Sequence, residues 1–135
     1  MGCDIHFVIE KKKGHGWFGL SGTDYGYRPG AKERHYNFFS ELAGVRGEGP
    51  DAKGVPDDAS DLTLECLNHW KGDAHSMTYY SVEHFVEVWL KCNKDLNMLV
   101  EDNMYAILDK CLDLGQIADE KNWQKHYRIV IWFDN

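Results

Sequence analysis

The chain has 135 residues, of which 43% are hydrophobic and 13% aromatic, and its formal net charge is −7. This composition predicts one folded domain over residues 1–135 and excludes global disorder. The acidic balance argues against bulk nucleic-acid binding, because phosphate neutralisation by Lys and Arg supplies most of that affinity. A local basic pocket for a small anion is compatible with this charge.

The four cysteines, at positions 3, 66, 92 and 111, form no Cys-x-x-Cys pair, and the sequence shows no secretory signal. This pattern indicates reduced thiols rather than a zinc knuckle or a disulfide framework. No stretch approaches the ~18 apolar residues of a membrane span. We therefore expect a cytoplasmic protein that has no membrane partner.

A strand is predicted over residues 3–10, before the lysine run that leads to Gly14. Its residues alternate between two faces, with Ile5, Phe7 and Ile9 on one side and Asp4, His6 and Val8 on the other. Residues 14–33 hold six glycines among several aromatic residues. This composition is typical of an irregular excursion or a loose hairpin.

Two short helices are predicted in the middle of the chain. The first covers about 36–44 and ends at Gly44. A loop rich in glycine and proline at 44–59 separates it from a second helix at about 61–71, for which Ser60 is a good N-cap. The second helix is expected to bury one stripe of side chains: Leu62, Cys66, Leu67 and Trp70.

The second half of the chain predicts further elements of both kinds. Residues 75–80 form a short extended segment, and Ser81 is an N-cap candidate for the amphipathic helix that follows. Another helix is predicted at about 95–114. Residues 127–133 are β-branched and aromatic on both faces, which predicts an interior strand.

Strands near both termini, with helices between them, indicate an α+β fold. We expect a small sheet that contains the N- and C-terminal strands and is packed against three or four helices. Antiparallel pairing of these strands would bring Asp134 near Asp4 and His6. Parallel pairing would place Asp134 near Glu10 instead.

Two Asp-x-His pairs are the main candidates for chemistry: Asp4 with His6, and Asp73 with His75. Residues two apart on an extended chain point to the same side, so each pair presents a carboxylate beside an imidazole. We expect the two pairs to converge on one ionisable pocket that acts as the catalytic or binding floor. Antiparallel pairing of the terminal strands would add Asp134 to it.

Three interpretations of this pocket remain open. Imidazole and carboxylate ligands suit a divalent metal such as zinc or manganese, which would activate water in a phosphodiesterase. Without a metal, His6 or His75 would act as a general acid or base beside its aspartate. The third interpretation gives both pairs purely structural hydrogen bonds.

Ser76 places a hydroxyl next to His75 in the sequence. Adjacent side chains on a regular strand face opposite ways, which argues against a Ser76 nucleophile served by His75. We assign Ser76 to ligand binding instead.

Basic and aromatic residues near the first predicted helix are further ligand-binding candidates. Arg34 lies just before this helix, where backbone amides and the positive end of the helix dipole favour a phosphate. Arg46 would hold phosphate with Arg34, and Tyr36 would contact a base or a sugar. Solvated surface charge and core packing are the alternatives for such residues.

Several short segments of the chain are distinctive sequence motifs, and the opening hexapeptide Met-Gly-Cys-Asp-Ile-His is the most specific of them. The other segments are Arg34-His35-Tyr36-Asn37-Phe38-Phe39, Leu42-Ala43-Gly44-Val45-Arg46, Lys53 to Ser60, Asp73-Ala74-His75-Ser76 and Arg128 to Asn135. In these segments the chain resembles a group of small, uncharacterised bacteriophage and prophage proteins. It departs from their pattern at His35, where they carry Asn or Asp, and at Lys53, where they carry Arg.

The resemblance implies a phage origin and a shared fold, but it supplies no reaction. Compact phage proteins without structural motifs often counter host defences, and several such families bind or cleave nucleotide immune signals. The resemblance thus favours an anti-defence protein in the host cytosol that binds, and as an enzyme hydrolyses, a small phosphate-bearing ligand. A sponge of this kind would close around the ligand, often as a homo-oligomer. The alternative is a non-enzymatic module that blocks a host protein through an acidic surface.

Overall fold

The computed structural model of the chain describes residues 4–19, 36–70, 72–93 and 126–134. The elements in chain order are β1 (Asp4–Lys13), β2 (Gly16–Gly19), α1 (Tyr36–Ala43), α2 (Asp61–His69), β3 (His75–Ser81), α3 (Val82–Asn93) and β4 (Tyr127–Asp134). Four strands in one sheet with three helices in the described ranges confirm the α+β fold. Within these ranges, no helix combines the length and the apolar character needed to cross a bilayer.

The sheet has the strand order β2-β1-β4-β3, and all neighbouring strands are antiparallel. The terminal strands therefore lie side by side at its centre, with Asp4 opposite Asp134. β4 is an interior strand, as predicted, and its residues 127–133 are all buried. A strand that is apolar on both faces suits this position, because both faces of the sheet are covered.

One face of the sheet carries the main hydrophobic core. The strands contribute to it the side chains of Ile5, Phe7, Ile9, Tyr80, Tyr127, Ile129, Ile131 and Phe133. α1 and α3 pack on this face with Phe38, Phe39 and Phe85, which are at most 1% exposed. Full burial of such a side chain contributes about 1.5–3 kcal/mol, so this layer is the main source of stability. The Tyr80 hydroxyl also donates to the Leu42 carbonyl, which joins β3 to α1.

The helix α2 lies along the second face of the sheet. The Ser60 N–H at the N-terminal end of α2 donates to Glu10, and the ring of Trp70, just after the helix, contacts the His6 ring at an angle of 34°. Glu10 and His6 are four positions apart on the strand, a distance of about 13 Å, which is also the length of a nine-residue helix. α2 therefore runs antiparallel to β1 along this face.

The predicted helix ends are confirmed within about two residues. Gly44 follows α1 with a φ of 70°, a conformation that glycine adopts readily. The Ser60 hydroxyl accepts from the Thr63 N–H at the start of α2, and the Ser81 hydroxyl accepts from the His84 N–H at the start of α3. Both N-caps were predicted from the sequence.

Two predictions about these elements were wrong. β1 continues through the lysine run to Lys13, because β2 pairs with it as a hairpin and binds its backbone groups. The stripe assigned to α2 is only half-buried, and the buried side chain of this helix is Thr63. The predicted helix at 95–114 and residues 20–33 of the predicted excursion lie outside the described residues.

Candidate functional site

His6 and Asp134 are hydrogen-bonded at one end of the two central strands, between the imidazole Nε2 and the carboxylate Oδ2. The antiparallel pairing of β1 and β4 produces this contact, as the sequence predicted for that arrangement. The side chains are only 8% and 14% exposed, so water screens the pair weakly. A carboxylate bound to one ring nitrogen fixes the orientation of the imidazole and the role of the other nitrogen.

Two tryptophan rings enclose His6 on the α2 face of the sheet. The centroid of the Trp70 ring lies 4.2 Å from that of His6, and the Trp132 centroid lies 6.0 Å away. Buried polar atoms nearly always have a hydrogen-bond partner. Among the described residues, however, neither His6 Nδ1 nor Trp132 Nε1 has one, although both atoms are buried. Two neighbouring rings on one face of the sheet thus each carry a nitrogen with unused hydrogen-bonding capacity within the described part of the chain.

The structure does not bring the two Asp-x-His pairs into one cavity. His75 lies opposite Phe133 in the β3–β4 ladder and stacks on that ring at 6.3 Å. Phe133 contacts Phe39 of α1, so His75 belongs to the core face, whereas His6 lies opposite Trp132 on the α2 face. Successive residues of a strand point to opposite faces, so His6 and His75 are on opposite sides of the sheet.

Asp73 is exposed in the turn before β3. The Asp73 backbone N–H donates to the Trp70 carbonyl, which closes the turn after α2. The side chain of Asp4 lies outside the described set. His6 and His75 therefore do not share a pocket as the sequence analysis expected, because alternation along a strand does not tell to which face of the sheet a residue points.

The described residues contain no group of three or more His, Cys, Asp or Glu side chains arranged to hold a metal ion. His6 and Asp134 are only two such groups, and a catalytic zinc site ordinarily has three protein ligands.

The phosphate-binding candidates are spread over the molecule or lie outside the described residues. Arg46 is exposed in the loop after α1, with a positive φ of 53°. Arg34 lies outside the described ranges, and only the backbone of Tyr36, the first residue of α1, is described.

Ser76 does lie against His75, contrary to the expectation for a regular strand. The Ser76 hydroxyl oxygen is 3.0 Å from His75 Nδ1. The cause is a shift in the β3–β4 register between His75 and Thr78, where Ser76 takes a positive φ of 54°. A bulge of this kind redirects a side chain, so the alternation rule fails here.

A second buried ionic cluster, between Glu10 and Arg128, was missed by the sequence analysis. Arg128 Nε donates to Glu10 Oε1 at 2.5 Å, and the other carboxylate oxygen, Oε2, accepts from the Ser60 N–H and the Thr63 hydroxyl at 2.6 and 2.7 Å. The same guanidinium lies 4.1 Å from the centre of the Trp17 ring. This cluster holds α2 on the sheet. A signal was available, because the register that pairs Asp4 with Asp134 also pairs Glu10 with Arg128.

Asp58 completes this cluster at the surface. Its carboxylate accepts from Arg128 Nη1 at 2.8 Å, and this hydrogen bond holds the pKa of Asp58 below its usual 3.8. A depressed folded-state pKa adds stability at pH values above 3.8, and this stability is lost as the pH falls through the folded-state pKa.

We expect Asp58→Asn to lower the midpoint of urea unfolding slightly at pH 7, because the Asp58 side chain is 56% exposed. The difference from the unchanged protein should shrink as the pH falls below about 3.8. Urea titrations at several pH values measure it. A difference that stays constant in acid would contradict a role for the charged carboxylate.

No protein-family model, curated protein or solved structure matches this chain. The resemblance to phage proteins therefore rests on the short sequence segments alone.

Proposed function

We propose that the protein binds a small phosphate-bearing ligand, such as a nucleotide immune signal, at the α2 face around His6. The proposal rests on one observation: His6 and Trp132 have ring centroids 6.0 Å apart, and His6 Nδ1 and Trp132 Nε1 are both buried and without a partner among the described residues. An indole nitrogen can only donate a hydrogen bond. An imidazole whose Nε2 is bonded to a carboxylate donates from Nδ1 when doubly protonated and accepts when neutral.

Phosphate oxygens match these groups because they accept hydrogen bonds and carry negative charge. A doubly protonated His6 would give a charge-assisted bond, which is about twice as strong as a neutral one. Asp134 would then balance the charge of the ring from the other side. In its neutral form the same imidazole would take a proton from water or from a ligand hydroxyl, which is the step that a metal-free phosphodiesterase needs.

The test is uptake of nucleotides from solution. The protein is mixed with an equimolar cyclic dinucleotide or cyclic ADP-ribose isomer, and free ligand is measured by chromatography before and after heating. We expect one ligand to disappear from the free pool. Its intact return on heating would indicate sequestration, and an altered product would indicate hydrolysis. If every ligand of this panel stays free at micromolar protein, the proposal is wrong.

Variants of His6 and Trp132 test whether this face is the binding site. Trp132→Phe removes the indole N–H and keeps an aromatic ring, and His6→Gln removes the imidazole. Hydrogen bonds to charged groups contribute about 1.5–3 kcal/mol, so each variant should weaken binding by about 10–100-fold. Asp51→Asn, on an exposed loop, is the matched control and should bind as the unchanged protein does. Equal affinity in all three variants would place the ligand elsewhere.

A second candidate function, interaction with a host protein, is favoured by the surface of residues 48–73. The exposed acidic side chains of this surface are Glu48, Asp51, Asp57, Asp58, Asp61, Glu65 and Asp73. Two large apolar side chains, Phe18 and Leu64, are also 57% and 50% exposed. Under this hypothesis Asp61→Lys and Glu65→Lys would abolish function, whereas His6→Gln would not. Charge reversals at residues 95–120 are a further test of this hypothesis, and that region lies outside the described residues.

A further inference from the structure

Ser76 has a backbone conformation that serine rarely adopts. Its φ of 54° lies in the left-handed region, where a β-carbon meets the neighbouring carbonyl. Glycine would avoid this cost, yet the chain has serine at this position. Non-glycine residues in this region persist only where the surrounding structure imposes them, and they are concentrated at functional sites.

The bulge at Ser76 makes a pair of groups that a regular strand cannot make. Its hydroxyl oxygen is 3.0 Å from His75 Nδ1, within the range expected between a nucleophile and its general base. The His75 ring is held against Phe133, with an angle of 28° between the ring planes. Both residues of the pair are half-buried, so the imidazole is positioned and the hydroxyl is still within reach of solvent.

We propose that Ser76 is a nucleophile activated by His75, and that the pair hydrolyses activated esters. The site is on the core-face side of the sheet, so it is independent of the ligand site proposed at His6. In the first step the Ser76 oxygen bonds to the ester carbonyl carbon, and the hydroxyl proton passes to His75 Nδ1. The alcohol then leaves with the electron pair of the broken C–O bond and takes that proton. Water repeats the sequence on the acyl-serine and releases the acid.

A fluorophosphonate probe tests the nucleophile directly. The Ser76 oxygen would displace fluoride from phosphorus, so the intact mass should rise by one probe without fluoride, and peptide mapping should place the adduct on Ser76. Absence of an adduct on the folded protein would overturn the proposal. So would an adduct confined to Ser40, Ser60 or Ser81.

Two variants separate catalysis from a structural role of the bulge. Ser76→Gly removes the hydroxyl and suits the positive φ, so the protein should fold with an unchanged or higher Tm and lose the adduct. His75→Gln should slow labelling by about 100-fold or more, because general-base catalysis typically contributes at least that factor. His15→Gln, at an exposed position in the β1–β2 turn, is the matched control and should label at the original rate.

The pH dependence of labelling provides a readout that a structural role would not affect. The labelling rate should fall as an imidazole becomes protonated in acid, and this dependence should disappear in His75→Gln. Labelling of His75→Gln at the rate of the unchanged protein would show that the hydrogen bond only closes the bulge, and it would overturn the proposal.

Discussion

Replacing Arg128 by methionine is expected to lower the free energy of unfolding by about 3–5 kcal/mol, because one partner of a buried ion pair is lost. Glu10 is fully buried, and its carboxylate would remain in the interior without the guanidinium. The contact of Arg128 with the Trp17 ring would be lost as well. A small domain has about 5–15 kcal/mol of stability in total, so this variant should approach the limit of folding. Urea unfolding at pH 7, followed by circular dichroism, measures the change.

The double variant Glu10→Gln with Arg128→Met is the control for this interpretation. A glutamine side chain is neutral, and its carbonyl oxygen can still accept from the Ser60 N–H and the Thr63 hydroxyl. We therefore expect the double variant to be more stable than Arg128→Met alone, since no unpaired charge is buried. If the two substitutions instead destabilise additively, the carboxylate of Glu10 is not the source of the loss.

Gly49→Ala is expected to destabilise the protein by about 2–3 kcal/mol, because the added methyl group overfills a closed contact. A β-carbon at this position would lie 1.8 Å from the carbonyl oxygen of Ser40 and 2.5 Å from its carbonyl carbon. Both atoms belong to the backbone of α1, so the loop or the helix has to move. The Gly49 N–H also donates to the Ser40 hydroxyl at 3.1 Å, and this bond would be disturbed.

Gly16→Ala is the matched control, because no atom lies within 4 Å of the β-carbon that this change would add. Its effect on the free energy of unfolding should stay within about 0.5 kcal/mol, as for most surface changes. Thermal unfolding of both variants by calorimetry gives the comparison. A Tm of Gly49→Ala equal to that of Gly16→Ala would contradict the close approach of the 44–50 loop to α1.

The sequence predicted the fold because local patterns agree with the tertiary arrangement. The alternation of Ile5, Phe7 and Ile9 identifies β1, and the continuous apolar character of residues 127–133 identifies an interior strand. Both patterns are consequences of burial on one or on two faces of a sheet. Ser60 and Ser81 marked helix starts because a capping hydroxyl acts through neighbours in the sequence.

The candidate site was predicted only in part, because its geometry depends on contacts between distant segments. The His6–Asp134 pair followed from the antiparallel alternative, since register alone produces it. The separation of His6 from His75 did not follow, because a pattern of alternation does not tell to which face of the sheet His75 points. The Ser76–His75 contact depends on a one-residue bulge, and the neighbouring residues contain no sequence signal that predicts this bulge.

The adjacency of β1 and β4 has a consequence for synthesis on the ribosome. The residues of the His6–Asp134 pair are 128 positions apart, and β4 is the strand that joins β1 to β3. Until β4 has left the exit tunnel, β1 has only the four-residue β2 as a partner in this sheet. We therefore expect the nascent chain to stay unfolded and sensitive to protease until β4 has left the exit tunnel.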